Sequence, residues 1–156
     1  MNCLSCGNTS ATRSGEHVFA QWLLDYLHAL KTPITHFRYQ ADGTSTPHRD
    51  QIALDSLRLK RICEPCNNGW MSRLEDHTKA ILVGLMERTL ALDALADEQR
   101  RLLARWAGKT AIIESYAVGA EKPIDAQLLG YRRDGDQTSD VRRSRRSDLR
   151  PGQKRT

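Results

Sequence analysis

The residues with the most chemistry in them are four cysteines in two pairs, Cys3-x2-Cys6 and Cys63-x2-Cys66. Two cysteines three positions apart place both sulfurs on one tight turn, so each pair can offer two thiolates to one ion. Two such turns complete the closed tetrahedron of a structural zinc site and leave no position open for chemistry. Free buried cysteines, or a redox pair, are the plainer readings, but all four cysteines are used and none is left over. The 56 residues between the pairs exceed the roughly 15–20 of a simple zinc ribbon, so something of substance is inserted there. Binding the ion would also help fold the N-terminal half, because ligand burial and folding are coupled.

A second set trails the knuckles. Glu16 and His17 follow Cys6 by ten residues, and Asn67 and Asn68 follow Cys66 directly. A shared zinc would bring the two segments together across about 50 positions, clustering a carboxylate, an imidazole and amides. That is the minimum for a hydrolytic site with one divalent metal: carboxylate and amide oxygens as hard ligands, imidazole as general base. Taken alone, a Glu-His pair beside an apolar run is more often an ordinary helix start.

The order CxxC, then EHVFAQWL, then ICEPCNNGWMSRLE resembles HNH endonucleases of the four-cysteine zinc type, members of the ββα-metal (His-Me finger) group. The similarity covers residues 1–76, and DEQRRLLARWAGKTAIIESYA is similar to the helix that follows this finger in bacterial HNH-type proteins. The resemblance implies hydrolysis of phosphodiester bonds in DNA. It makes His17 the base that activates water, Glu16 the acidic metal ligand beside it, and Asn67, with Asn68 as the neighbouring alternative, the metal-binding residue that opens the finger's helix. Two metals follow: zinc on Cys3, Cys6, Cys63 and Cys66 for structure, and magnesium or manganese on Glu16 and Asn67 for catalysis. Ala20 stands where the family often has proline, and Leu57-Arg58-Leu59-Lys60-Arg61 fills the strand where the middle Asn of the pattern is expected. Asn67 in place of histidine favours magnesium or manganese over softer ions. His77 could supply a third letter of the pattern, but beside Glu75 and Asp76 it reads as a solvent-facing helix residue. His28, His36 and His48 read as surface residues, Trp70 as packing over the knuckle, and Glu75 as helix surface or a residue reaching back to the site.

The elements that must position these residues follow from periodicity. Phe19, Trp22, Leu23, Tyr26, Leu27 and Leu30 fall at helical spacing and predict a helix over 18–30, ended before Pro33. A short strand is expected at 36–40, a loop at 41–50, and a strand over 52–62 leading into Cys63 with Leu57 and Leu59, and Arg61, on one face. Trp70, Leu74, Ile81, Leu82, Leu85 and Met86 suit a helix once past Gly69, and a break falls near 92–97. A second helix is then capped by Asp97, with Leu102, Leu103, Trp106, Thr110, Ile113 and Tyr116 inward. The expected class is α+β: a small ββα-metal finger with a structural zinc, an inserted helix and a C-terminal helical pair. The division is a finger at 1–78, a helical extension at 79–118 and a basic, disordered tail at 119–156.

Charge sharpens this division. Of 24 Lys and Arg, nine lie within 131–156 against four Asp, so the whole net charge of +5 sits there and the rest of the chain is neutral. Such a segment offers phosphate affinity that falls steeply with salt, so DNA, or RNA, is the expected partner through the finger and the tail. Lys60, Arg61 and Arg73 near the finger could add to it. No apolar run approaches the ~18 residues a membrane span needs, which gives no membrane partner. The first residues lack a basic-then-apolar secretory pattern, and the expected setting is the cytoplasm, where thiols stay reduced. Two non-catalytic readings stand beside the nuclease: an inactive zinc-stabilised nucleic-acid-binding module, and a helical interaction protein in which 74–117 dock a partner.

Overall fold

A computed structural model describes residues 2–8, 15–40, 42–120 and 123–130, with the side chains of 36, 38, 39, 48 and 49 excepted. The basic stretch 131–156, and the surface placing of His36 and His48, lie outside the described residues.

The chain is α+β, as its periodicities require. Its first strand, β1 (Glu16–His17), pairs antiparallel with β4 (Arg58–Leu59), so that Glu16 faces Leu59 and His17 faces Arg58. Val18 extends the pairing by donating its N–H to the carbonyl of Leu57. Gly15 makes the close approach possible. Its φ of +69° is a left-handed conformation, and a Cβ there would sit 2.9 Å from the Leu59 carbonyl oxygen. Between the two strands lie helix α1 (Gln21–Tyr26) and a hairpin of β2 (Pro33–Tyr39) and β3 (Ser45–Ala53).

Three local expectations change here. The helix expected over 18–30 is only six residues, because Val18 is committed to the β1–β4 ribbon and His28 turns left-handed at φ 53°. The loop expected over 41–50 is mostly strand: Asp42 caps the N–H of Thr44, Gly43 takes φ 83°, and the Asp-Gly pair closes a hairpin turn. The strand expected over 52–62 is interrupted by a 3-10 turn at Leu54–Ser56, leaving two residues of β4 before the second knuckle.

From Cys63 the chain is helical almost at once. Helix α2 (Glu64–Cys66) leads through a wide turn at Asn67–Met71, kinked at Gly69, into α3 (Ser72–Met86), so helix begins earlier than expected. Helix α4 (Asp97–Ala117) follows the predicted break and packs against α3. Its cap is Ala96 rather than Asp97. The Ala96 N–H is satisfied by the Gln99 side chain at 2.9 Å, and Asp97 and Glu98 place negative charge in the first turn.

The core lies between the knuckles, the ribbon and the helix pair. Val18, Leu57, Ile62, Met71, Leu74, Ile112 and Ile113 are fully or almost fully buried, with Trp70 and the cysteines at its edge. Residues 123–130 belong to the stretch expected as tail, yet Leu129 from this segment is completely buried in the same core. Helix α3 also runs without a break across the position where the finger was expected to end. Among the described residues no helix is long and apolar enough to cross a membrane.

Candidate metal centre and the histidine beside it

The two knuckles meet. One sulfur from each of Cys3, Cys6, Cys63 and Cys66 lies within 4.8 Å of the others, and three of the four cysteines are buried. A tetrahedral ion with metal–sulfur bonds of about 2.3 Å needs sulfurs about 3.8 Å apart. The Cys6 and Cys63 sulfurs are 3.6 Å apart, so the donor set fits. The backbone is arranged around it. Cys63 N–H points at Cys3 Sγ at 3.3 Å, Gly7 N–H bonds the Cys3 carbonyl, and Cys66 and Asn67 N–H groups both bond the Cys63 carbonyl. Leu4 N–H bonds the Arg61 carbonyl, and Trp70 Nε1 donates to Ser5 Oγ at 3.1 Å, so Trp70 packs over the knuckle as its sequence position suggests. Burial pushes the Cys3 thiol up, but the N–H groups of Cys63, Cys6 and Ser5 outweigh it and bring it down to about 7. Burial pushes Cys63 up to about 12. A bound cation would strip both protons.

Beyond the knuckles, successive residues of β1 face opposite ways, as strand geometry demands. Glu16 turns inward and is 6 % exposed. There it meets Lys109 of α4, which is completely buried: Lys109 Nζ donates to Glu16 Oε1 at 3.0 Å and to Glu75 Oε1 at 2.7 Å. Burial pushes the Glu16 carboxyl up, Lys109 pulls it down and Glu75 raises it again. Burial pulls Lys109 down, yet the two carboxylates overcome this and hold it above its ordinary value, so it is an ammonium. The bond from Lys109 engages Oε1, one of the two carboxylate oxygens of Glu16.

His17 turns the other way. It is half-buried, and its Nδ1 is buried without a partner. Burial and the nearby Arg58 guanidinium hold its pKa below 6.5 against the opposing pull of Asp55 and Glu75, so the imidazole is neutral at neutral pH. Lys31 holds the Asp55 carboxylate at 2.6 Å.

The second pair of predicted site residues opens the turn before α3. Asn67 is half-buried and Asn68 exposed. No hydrogen bond among the described residues links their amides to Glu16 or His17. The structure thus joins the four cysteines to one another and Glu16 to Glu75, while His17 stands on the opposite face of the ribbon from Glu16. His77 and His28 are exposed, as expected. Lys109 escaped the sequence reading altogether. The signal available was a lysine one residue before Thr110 and three after Trp106, inside the apolar stripe of α4.

The chain's own residues therefore have to carry any reading of the site, because no protein-family model, curated protein or solved structure matches this chain.

Proposed function

We propose that this chain is a metal-dependent endonuclease of the HNH type that hydrolyses phosphodiester bonds in DNA. A single observation carries the proposal: His17 sits on the two-stranded ribbon next to the cysteine knuckles, with burial and Arg58 holding its pKa below the ordinary value. A neutral imidazole suits a general base taking a proton from water. The cysteines hold zinc, which does no chemistry and clamps the segment bearing His17 to the start of the helix bearing Asn67. Glu16 and Asn67 offer the oxygen donors that a magnesium- or manganese-class ion takes, but Glu16 lies buried against Lys109 on the face away from His17, so such an ion would need Glu16 to turn from Lys109. When bound, such an ion supplies charge stabilisation to the phosphate and the leaving oxygen. His17 takes the proton from water on its imidazole.

The test is plasmid cleavage with magnesium or manganese by the wild type and by His17→Ala. The wild type is expected to cut and the variant to lose at least ~10²-fold in rate. Equal cutting by both, or none by the wild type, would sink the assignment.

A second reading is a zinc-stabilised nucleic-acid-binding module without catalysis. The observation favouring it is that Lys109 already occupies one oxygen of Glu16, the residue cast as metal ligand. It predicts salt-dependent DNA binding that is indifferent to His17→Ala.

A further inference from the structure

Behind the ribbon, two carboxylates share one ammonium. Lys109 Nζ donates to Glu16 Oε1 at 3.0 Å and to Glu75 Oε1 at 2.7 Å, and the lysine side chain has no access to water. The three groups together carry a net charge of −1. Charge taken out of water without an opposite partner is costly, so this surplus favours the arrival of a second cation. Divalent ions of the hard class are cations that carboxylate oxygens take. For Glu16, however, the place of a cation is already filled. An ion on either oxygen of that carboxylate would stand within a few ångströms of the ammonium, in surroundings of low dielectric where like charges repel strongly.

Glu75 offers a way to resolve the conflict. It makes the shorter of the two bonds to Lys109 and is the more exposed carboxylate. When Glu16 turns away, Lys109 is left in a one-to-one pair with Glu75 and is not stranded. The surplus carboxylate of the triad is therefore the one that an ion can claim. We infer that Lys109 is an internal competitor of the divalent ion for Glu16: ammonium and metal are alternative cations for one carboxylate, and Glu75 keeps the lysine whenever the metal has Glu16. The inference takes from the nuclease reading the assignment of Glu16 as a metal ligand. Its consequence is that the ion's apparent affinity is scaled down by the fraction of molecules in which Glu16 is free of Lys109.

The probe is manganese alone, added to the full chain with zinc already on the cysteines, and free manganese is read by electron paramagnetic resonance. The wild type is expected to bind weakly and Lys109→Met at least about tenfold more tightly, because the competing ammonium is gone. Adding Glu16→Gln to Lys109→Met should abolish the gain. Glu75→Gln alone should weaken binding, since Lys109 then depends wholly on Glu16; added to Lys109→Met it should cost little, which separates a holder of the lysine from a ligand of the ion. Lys109→Gln, whose amide still donates to a carboxylate, reads the same gain if the methionine variant does not fold. In the wild type, magnesium should move the Lys109 ammonium resonance and the Glu16 amide resonance together by NMR. Lysine variants that bind manganese no more tightly than the wild type, or a gain that survives Glu16→Gln, overturn the inference. So does magnesium that shifts Glu16 while the Lys109 ammonium stays unmoved. If the wild type cuts nothing yet Lys109→Met takes manganese through Glu16, the nuclease reading falls and the competition stands. If the wild type cuts and Lys109→Met gains no affinity, the competition falls and the nuclease reading stands.

Discussion

At the scale of single residues the decisive fact is a lysine with no access to water. Lys109 is held by Glu16 from β1 and Glu75 from α3, so one ammonium ties three elements together. Removing one partner from such a group leaves buried charge uncompensated. Lys109→Ala should cost about 3–5 kcal/mol, read as a drop in the urea midpoint. Replacing Lys109 and Glu16 together by methionine removes the two most buried charges and leaves only the more exposed Glu75, and should cost less than the single change. The pH dependence has a definite sign. The folded pKa of Lys109 is raised above 10.5, so its contribution is complete below that value and is lost as pH climbs through the raised one. The alkaline fall in stability should therefore be shallower in the double methionine variant. Matching pH curves for the two proteins would show that Lys109 adds nothing. None of this was legible beforehand. The cysteines and Glu16-His17 announce themselves by type and spacing, whereas a lysine on a helix reads as solvent-facing until the neighbouring elements close over it.

At the scale of elements, the two-residue ribbon β1–β4 is too short to hold itself, since even a longer isolated hairpin is marginal in water. Its closure leans on the knuckles. Leu4 N–H reaches Arg61, Ser5 accepts from Trp70, and Cys3 Sγ accepts from Cys63, all within a few residues of β4 or α2. Helices α3 and α4 pack on each other, with Leu74 of α3 and Ile112 and Ile113 of α4 in one buried cluster. Chelating the ion should thus melt the first half selectively. Amide exchange is expected to speed up sharply at Leu4 and Val18 and much less at Ile112, with most far-UV helicity retained. Protection at Leu4 and Val18 that survives chelation would mean the ion is not what closes the ribbon. The helix pair and its inward stripe could be read from period 3.6, because twenty-one residues average out local exceptions. The short elements could not. Val18 keeps a strand bond that no periodicity signals, and the Asp42-Gly43 turn makes strands of residues whose polarity suggests a loop.

At the scale of the whole molecule, the net charge is concentrated at one end of the sequence. The stretch 131–156 carries nine basic and four acidic residues, and the remainder of the chain is neutral. A neutral body gains little from the long-range field of a duplex. On the proposed reading the basic stretch supplies that field, because counterion release depends on the number of phosphates neutralised rather than on fixed geometry. Deleting 131–156 should therefore weaken DNA binding uniformly across sequences. On duplex DNA the slope of log K against log salt should become shallower by about 0.9 for every phosphate that the shortened chain no longer neutralises. Cleavage that depends on His17 should persist in the shortened chain at low salt, with the loss appearing in KM and not in kcat. Loss of kcat on deletion would place a needed group within 131–156, and an unchanged salt slope would show that the duplex is held by the body alone. Either result would count against the basic stretch as the site of DNA contact in the proposed reading.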